Sequence, residues 1–340
     1  MHPLIKNLGK SLFVNSLPPD LLRTDTPIDR VKRLFAQYVE LVEIENHSYC
    51  NRTCWFCPNA FLDRRSVNQL MQETVFEKIV GDLASVGYDK TLVWSRYHEA
   101  LAHESIYGRV ARARALLPKA LLVITSNGDY LNFRSLKALE EAGADRLLLD
   151  LYLPEGKETD PAELAAALKR FSERTGLTAV EVSPREYVVN GSSIAITMGA
   201  PIFTEQSMST RAGLMQIEKM HSYHRTAVCL APIRHVVIDY NGKGMLCCQT
   251  RSDAPQHQSS IIGDLSQPEY SIFCFYRDLG SARAGLVSPG LKGGICESCD
   301  VSTPGPNLLA RRPAVATVMR ALGIDRAVNK ALSSRGRRYE

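Results

Sequence analysis

The chain has 340 residues, of which 45% are apolar and 23% charged, a composition typical of a soluble globular protein. Its net charge is +5, but residues 310–340 hold eight Arg or Lys and two Asp or Glu, so this end carries +6 and the remainder −1. This distribution argues against a globally basic nucleic-acid-binding protein. The sequence shows neither an apolar run long enough to cross a bilayer nor a secretory signal pattern, so we predict a cytoplasmic protein.

Nine cysteines in a cytosolic chain indicate metal binding or catalysis rather than disulfides. Three of them, Cys50, Cys54 and Cys57, lie within eight residues, spaced by three and then two residues. A short loop of this kind can present three sulfurs to one four-iron cluster and leave the fourth iron open for a substrate or cofactor. A zinc site is the alternative, although zinc normally takes four closed ligands.

The order of the predicted elements indicates an α/β fold. Residues 1–38 are interrupted by prolines and predict a leader followed by one helix that begins near Pro27. Strands are predicted at 39–46, 90–94, 120–125, 146–152, 178–183 and 193–198, and helices at 71–86, 104–116, 133–142 and 161–173. Because several of these strands are unbroken apolar runs, we expect a parallel sheet covered by helices. Polar clusters follow the strands, at the end where such folds build their sites.

The loop CNRTCWFC (50–57), placed after the first strand, resembles the cluster motif of the radical S-adenosylmethionine (SAM) superfamily. The resemblance covers roughly residues 39–210 and implies a partial (β/α)6 barrel of the radical SAM type. It also implies a [4Fe–4S] cluster on Cys50, Cys54 and Cys57, with SAM on the open iron. In that family an electron from the cluster cleaves SAM to methionine and a 5′-deoxyadenosyl radical, which takes a hydrogen atom from the substrate.

The same resemblance implies residues that contact SAM. The family usually has Gly-Gly-Glu after the second strand, and here that place reads RYHE (96–99), so the glycines are missing and Glu99 remains for the SAM amino group. The missing glycines indicate a subfamily in which Arg96, Tyr97 and His98 either hold SAM or line the substrate pocket. The SAM-binding residues implied in this way are Phe56, Glu99, Ser126, Asn127, Asp150, Tyr152 and Arg185. A solvated carboxylate at Glu99 and a helix cap at Asp150 are the structural alternatives.

A second set of cysteines lies in the last third of the chain. Cys229 precedes a strand, an Asn-Gly hairpin signal at 241–242 and the pair Cys247-Cys248, and a CxxC motif follows at Cys296 and Cys299. This order resembles the C-terminal SPASM/twitch extension of many radical SAM enzymes, and it implies one auxiliary [4Fe–4S] cluster on Cys229, Cys247, Cys296 and Cys299. Cys248 could replace Cys247, since adjacent strand residues face opposite ways. A structural zinc site is the alternative for the whole set.

Two cysteines are then spare. Cys248 and Cys274 are either small buried hydrophobic side chains or donors of a hydrogen atom to a substrate radical. In the second case the protein would be an epimerase.

We therefore divide the sequence into a leader and helix (1–38), a radical SAM partial barrel (39–215), a small auxiliary-cluster extension (216–305) and a basic helical tail (306–340). The predicted protein is a radical SAM oxidoreductase or isomerase of a natural-product or cofactor pathway, acting on a sugar, nucleoside or aminocyclitol. An external flavodoxin or ferredoxin is the expected electron donor, and we expect neither membrane nor nucleic acid as a partner. The alternatives are a maturase of a ribosomally made peptide and a non-enzymatic iron–sulfur or zinc regulator. A methyltransferase is disfavoured, since the sequence contains no recognisable cobalamin-binding domain.

Overall fold

The computed structural model describes residues 11–205, 207–216, 224–301, 312–325 and 328, so most of the predicted basic tail lies outside the described residues. The chain forms two compact units. We call Leu41–Ser207 with Ile238–Gly242 the sheet unit, and Met1–Glu40, Met208–Val237 and Lys243–Glu340 the extension unit. The four-part division of the sequence stays a prediction.

The sheet unit contains seven strands and four α-helices within its described residues. The strands are β1 (Leu41–Ile44), β2 (Thr91–Trp94), β3 (Leu121–Ser126), β4 (Arg146–Asp150), β5 (Thr178–Ser183), β6 (Glu186–Asn190) and β7 (Ala195–Gly199). The helices, numbered after a first helix in the extension unit, are α2 (Glu73–Ser85), α3 (Ser105–Leu116), α4 (Phe133–Ala142) and α5 (Pro161–Thr175). The strand order is β1-β2-β3-β4-β7-β6-β5, an open sheet in which the first five strands are parallel. The predicted α/β class with a mainly parallel sheet is confirmed.

The predicted fifth strand differs from a regular βα unit. β5 turns through Pro184 and Arg185 directly into β6, and both strands run antiparallel to their neighbours. A parallel neighbour needs a crossover of a dozen or more residues, and a two-residue turn provides none. Arg185 adopts a left-handed φ of 65° at this turn. We did not predict β6, and β7 takes the place of the fifth parallel strand.

Local sequence signals explain where two of the helices begin and end. Asn132 and Ser135 form a capping box at the start of α4, and Gly143 ends the helix with a φ of 84°. Asp160 accepts backbone N–H groups at the start of α5, and Gly176 ends it with a φ of 73°. These boundaries lie within two residues of the predicted ones.

The two faces of the sheet differ in chemistry. One face carries large apolar side chains, including the fully buried Trp94 and Ile124. Register places Thr125, Leu148 and Thr197 side by side on the opposite face, which we call the inner face. Because side chains alternate along a strand, Asp150 also lies on this inner face.

The extension unit contains α1 (Ile28–Tyr38), α6 (Ala231–Arg234), α7 (Ile272–Asp278), α8 (Gly280–Val287) and α9 (Pro313–Ala321), with β8 (His235–Ile238), β9 (Lys243–Met245) and β10 (Ile261–Asp264). β9 and β10 pair antiparallel. Phe35 of α1 packs edge-on against Phe273 and Tyr276 of α7, with ring centroids 5.3 Å apart in each pair. α1 therefore packs on α7 within the unit that also contains the second cysteine set. Among the described residues, no helix is long and apolar enough to cross a membrane.

Candidate functional site

The cysteine loop lies after the carboxyl end of β1. The backbone N–H of Cys57 donates to the Cys54 carbonyl (2.9 Å), and the N–H of Cys50 donates to the Arg64 carbonyl (3.0 Å). A short 3₁₀ turn begins at Pro58, directly after the third thiol. All three thiols are half-buried. The loop thus presents three soft ligands from one compact turn.

The electrostatics of the loop fit a positively charged iron centre. Burial, together with the neighbouring thiols, raises the pKa of Cys50 to about 12 and that of Cys54 to about 11. Thiolates so placed need a cation to stabilise them. No three His, Cys, Asp or Glu side chains of the described segments are grouped as ligands of one metal ion. In a [4Fe–4S] cluster each thiolate binds a different iron, so the ligands need not converge on one point.

A polar network that we did not predict ties this loop to the end of β3. The carboxylate of Asp129 accepts two hydrogen bonds from the Arg52 guanidinium (2.6 Å each) and one from Asn51 Nδ2 (2.7 Å). Arg52 also donates to the Tyr152 carbonyl (3.0 Å), and Asn127 Nδ2 donates to Asn51 Oδ1 (2.9 Å). The only sequence signal was the position of Asp129 in the polar run after the third strand. Bidentate Arg–carboxylate pairs fix geometry well, so Arg52 and Asp129 position the cysteine loop.

Three of the predicted SAM-binding residues meet in one place. The buried Glu99 carboxylate accepts hydrogen bonds from Ser126 Oγ (2.6 Å), the Asn127 N–H (2.7 Å) and the Leu101 N–H (3.1 Å). The Glu99 N–H donates to the carbonyl of Tyr49, the residue before the first thiol (2.9 Å). Burial raises the pKa of Glu99 to about 7 even though these hydrogen bonds oppose the rise. The structure therefore places Glu99 beside the cysteine loop, and its contact with SAM stays a prediction.

We expect Glu99→Ala to destabilise the protein by about 3 kcal/mol, because it leaves buried donors unmatched. Ser126→Ala removes one donor and keeps the other two hydrogen bonds, so it should cost about 1 kcal/mol. Urea unfolding of both variants measures the difference. Equal losses for the two variants would show that the carboxylate is not the centre of this network.

Aromatic side chains lie close to the third thiol. The ring of Phe56 stacks on Phe203 (centroids 3.7 Å apart, planes inclined by 18°) and lies 5.0 Å from the ring of Tyr152. The Tyr152 hydroxyl donates to Asp150 Oδ2 (3.0 Å). The structure thus brings together the predicted residues Phe56, Asp150 and Tyr152. Phe203 follows β7 in an irregular segment, and we did not predict it.

The inner face carries acidic groups at the carboxyl end of the sheet. Asp150 pairs in register with Gly199, and Gly199 pairs with Glu186 on its other side. Since glycine has no side chain, space remains between the two carboxylates. A pocket of about 260 Å³ is lined by both carboxylates, by Thr197 and by apolar side chains that include Val188. The face can therefore receive a small polar molecule.

Arg185, the predicted partner of the SAM carboxylate, lies at the β5–β6 turn. Its Nε donates to the Ala200 carbonyl (2.5 Å). Its buried Nη2 has no hydrogen-bond partner among the described residues. The side chain could thus give one N–H group to a bound anion, and this role stays a prediction.

A buried charge cluster adjoins the segment RYHE (96–99). Arg96 has a φ of 93°, a conformation that favours glycine, and its guanidinium forms an ion pair with Asp239. Both side chains are at most 1% exposed. Arg64 and Glu45 form a second buried pair at 3.3 Å, and burial raises the pKa of nearby Glu43. Arg96 is therefore part of the inner framework of the sheet unit.

Two neutral histidines accept hydrogen bonds from the segment between β1 and Cys50. His98 Nε2 accepts the Asn46 N–H (3.2 Å), and His47 Nδ1 accepts the Tyr49 N–H (3.1 Å). Their rings lie 5.0 Å apart. Burial lowers the pKa of His98 to about 3, helped by Arg64 and Arg96, and that of His47 to about 2, helped by His98, His103 and Arg64.

These histidines predict acid sensitivity. Their folded pKa values lie below the usual unfolded value of about 6.5, so the stabilisation is complete above that pH and is lost as the pH falls. We expect the unfolding free energy to fall by up to about 1.4 kcal/mol per pH unit for each histidine below about pH 6. Urea unfolding at several pH values measures this slope, and His98→Gln should reduce it. An unchanged slope in the variant would contradict the assignment.

The extension unit brings the second cysteine set together. Burial raises the pKa of Cys247, and the neighbouring thiols Cys248, Cys229 and Cys299 raise it further. Cys296 has a pKa raised to about 11 by burial and then by Cys229 and Cys299. The four predicted ligands are thus close enough to oppose each other's ionisation, as thiolates around one cluster must be. Their role as ligands stays a prediction.

Of the two spare cysteines, Cys248 neighbours Cys247, whereas Cys274 is not among the thiols that affect Cys247 or Cys296. Cys274 lies on α7, where its Sγ is 3.3 Å from Ser271 Oγ. Cys248 Sγ accepts from Gln249 Nε2 at 3.7 Å. A hydrogen-donor role for either thiol stays a prediction.

Comparison with known proteins supports the fold. No family model matches the sequence. The S-adenosyl-L-methionine-dependent 2-deoxy-scyllo-inosamine dehydrogenase of Niallia circulans is 28% identical over 109 residues, which are 32% of this chain and 43% of that protein. The match therefore spans less than half the length of this relative.

Two solved structures share the overall architecture. The structure of BtrN in complex with AdoMet and 2-DOIA has a TM-score of 0.55 and 18% identity, over 81% of this chain and 96% of BtrN. The structure of Streptococcus suis SuiB bound to precursor peptide SuiA has a TM-score of 0.50 and 12% identity, over 85% of this chain and 78% of SuiB. At these identities the likeness establishes the fold.

Proposed function

We propose that this chain, which has the fold of radical SAM enzymes with SPASM- or twitch-type extensions, uses SAM to oxidise a small polar molecule. The observation that carries the proposal is the compact loop of Cys50, Cys54 and Cys57 beside the Glu99 carboxylate. A [4Fe–4S] cluster held there would supply the electron that cleaves SAM to methionine and a 5′-deoxyadenosyl radical. A flavodoxin or ferredoxin would supply that electron to the protein.

The chain's own residues would bind and orient SAM. Glu99, already held by Ser126 and Asn127, would accept the SAM amino group. Phe56 would contact the adenine, and the Asp150–Tyr152 pair would contact the ribose. Arg185 would donate its remaining N–H group to the SAM carboxylate. These roles agree with a pocket that positions its ligand by a few polar groups on an otherwise apolar wall.

The inner face favours an amine-bearing polyol as substrate. Glu186 and Asp150 supply negative charge, and Thr197 supplies a hydroxyl group, around a pocket of about 260 Å³. This volume suits one ring-sized molecule rather than a drug-sized ligand. A sugar, nucleoside or aminocyclitol has the matching hydroxyl and amino groups, and the Niallia relative is a dehydrogenase of 2-deoxy-scyllo-inosamine. A ribosomally made peptide is the second candidate, because the SuiB structure contains a precursor peptide.

The extension cysteines would hold one auxiliary [4Fe–4S] cluster, which would take up the electron that net oxidation of an alcohol releases. In that reaction the substrate carbon would lose a hydrogen atom to the deoxyadenosyl radical; the resulting carbon radical would then give one electron to the auxiliary cluster and its hydroxyl proton to solvent, and a ketone would form. Epimerisation is the redox-neutral alternative, and it would need a thiol such as Cys248 or Cys274 to return a hydrogen atom.

The test is anaerobic reconstitution with iron and sulfide, followed by SAM and a chemical reductant. We expect 5′-deoxyadenosine, and we expect deuterium from a labelled aminocyclitol to appear in it. A product with two fewer hydrogen atoms than the substrate indicates oxidation. In a second reaction, run with unlabelled substrate in deuterated water, deuterium in the product indicates epimerisation. If iron-loaded protein forms no 5′-deoxyadenosine, the proposal of a radical SAM enzyme is refuted, and an iron–sulfur or zinc regulator is favoured.

A further inference from the structure

Arg225 is buried among the extension cysteines, with 1% of its surface exposed. Its Nη1 lies 3.2 Å from Cys299 Sγ and 3.4 Å from the Cys299 carbonyl. Its Nε donates to the Ala227 carbonyl (3.0 Å) and its Nη2 to the Val228 carbonyl (3.3 Å), just before Cys229. One guanidinium thus connects the two segments that carry Cys229 and Cys299.

Lys292 is a second buried cation at the same place, with 4% of its surface exposed. Its backbone N–H donates to the Arg225 carbonyl (2.8 Å), and the Arg225 N–H donates to the carbonyl of Glu297, between the two cysteines of the CxxC motif (2.7 Å). The Lys292 ammonium donates to the Gly285 carbonyl (3.2 Å). Burial and Arg225 lower the pKa of Lys292, and the neighbouring thiols of Cys229 and Cys296 oppose this lowering.

Two buried cations at one set of thiols have a defined electrostatic effect. A four-thiolate iron–sulfur cluster is an anion, and reduction by one electron makes it more negative. Nearby positive charge and hydrogen bonds to the ligand sulfurs therefore favour the reduced form. A purely structural arginine would need only the carbonyl contacts, whereas Arg225 also reaches a ligand sulfur.

We propose that Arg225 and Lys292 are positioning residues that raise the reduction potential of the cluster held by the extension cysteines. This inference rests on the auxiliary cluster of the proposed function. Its consequence is a cluster poised to receive an electron rather than to give one, which fits oxidation of the substrate better than a redox-neutral outcome.

The test uses full-length protein in which Cys50, Cys54 and Cys57 are replaced by Ala, so that any iron detected belongs to the extension. Redox titration followed by electron paramagnetic resonance gives the midpoint potential. We expect Arg225→Gln to lower the equilibrium constant for reduction at least tenfold, which is about 59 mV for one electron. Arg225→Lys keeps the positive charge and should lower the midpoint potential by less than Arg225→Gln does. Arg320→Gln, an exposed arginine of α9, is the matched control and should leave the potential unchanged.

Iron and sulfide counts separate the two levels of the proposal. If the triple-alanine protein holds no iron, the auxiliary cluster of the proposed function fails. If Arg225→Gln keeps its iron and its potential equals that of the parent, the tuning role is overturned. If Arg225→Gln loses its iron, the midpoint potential of Lys292→Met is measured instead. A potential equal to that of the parent overturns the tuning role as well.

Discussion

Cys54→Ala should abolish 5′-deoxyadenosine formation, with a loss larger than the roughly 10–100-fold that substitutions outside the ligand shell cost metal sites. A cluster held by three thiols already has one iron without a protein ligand. Removal of one of these thiols leaves two protein ligands for a four-iron cluster. Chromatography of the nucleoside products and iron counts on the reconstituted protein measure the two effects together.

Two further variants make this test specific. Thr53→Ala changes an exposed residue of the same loop and should keep both iron and nucleoside formation. If the proposed auxiliary cluster is present, Cys247→Ala should lower the iron content from about eight to about four per chain, because it removes a proposed ligand of that cluster only. Substrate oxidation should then stop while SAM cleavage continues. Nucleoside formation by Cys54→Ala at the parent rate would refute the assignment of the loop.

Asp239→Ala should destabilise the sheet unit by about 3–5 kcal/mol, because it leaves the buried Arg96 guanidinium without its carboxylate. The exposed pair Lys137–Glu141 is the matched control, and Glu141→Ala should cost about 0.5 kcal/mol or less. Thermal or urea unfolding of the two variants measures the difference.

The double variant Arg96→Met/Asp239→Leu sharpens this prediction. Replacement of both partners of a buried ion pair by apolar side chains is often neutral, whereas removal of one partner is not. We therefore expect the double variant to be more stable than Asp239→Ala alone. A double variant as unstable as the single one would show that Asp239 stabilises the unit through contacts other than Arg96.

The charges of the sheet unit also bear on substrate choice. Arg96 and Asp239 neutralise each other in the framework, whereas Asp150 and Glu186 line the pocket on the inner face. In the proposed function, these two acidic residues would present negative charge to a substrate in the pocket. A positively charged amino group on the substrate would be the complement of that charge.

The sequence by itself determined the features that depend on local spacing. A three-cysteine loop such as Cys50–Cys57 requires residues that are close along the chain, and so do the Asn, Asp and Gly signals that begin and end α4 and α5. The alternation of apolar strands and helices likewise determined the α/β class, which is confirmed. Each single loop, strand or helix depends on fewer than about twenty consecutive residues, the range over which periodicity and capping act.

Only the tertiary structure decided which distant residues meet. Asp129 lies 77 residues from Arg52, and Cys299 lies 74 residues from Arg225, so no local pattern connects either pair. Phe203 and the β5–β6 hairpin were missed for a related reason, because an exposed alternating strand and an irregular aromatic carry little signal before their neighbours are known. The three thiols of the cysteine loop are close along the chain, whereas Asp129, which binds Arg52 of that loop, is brought there only by folding.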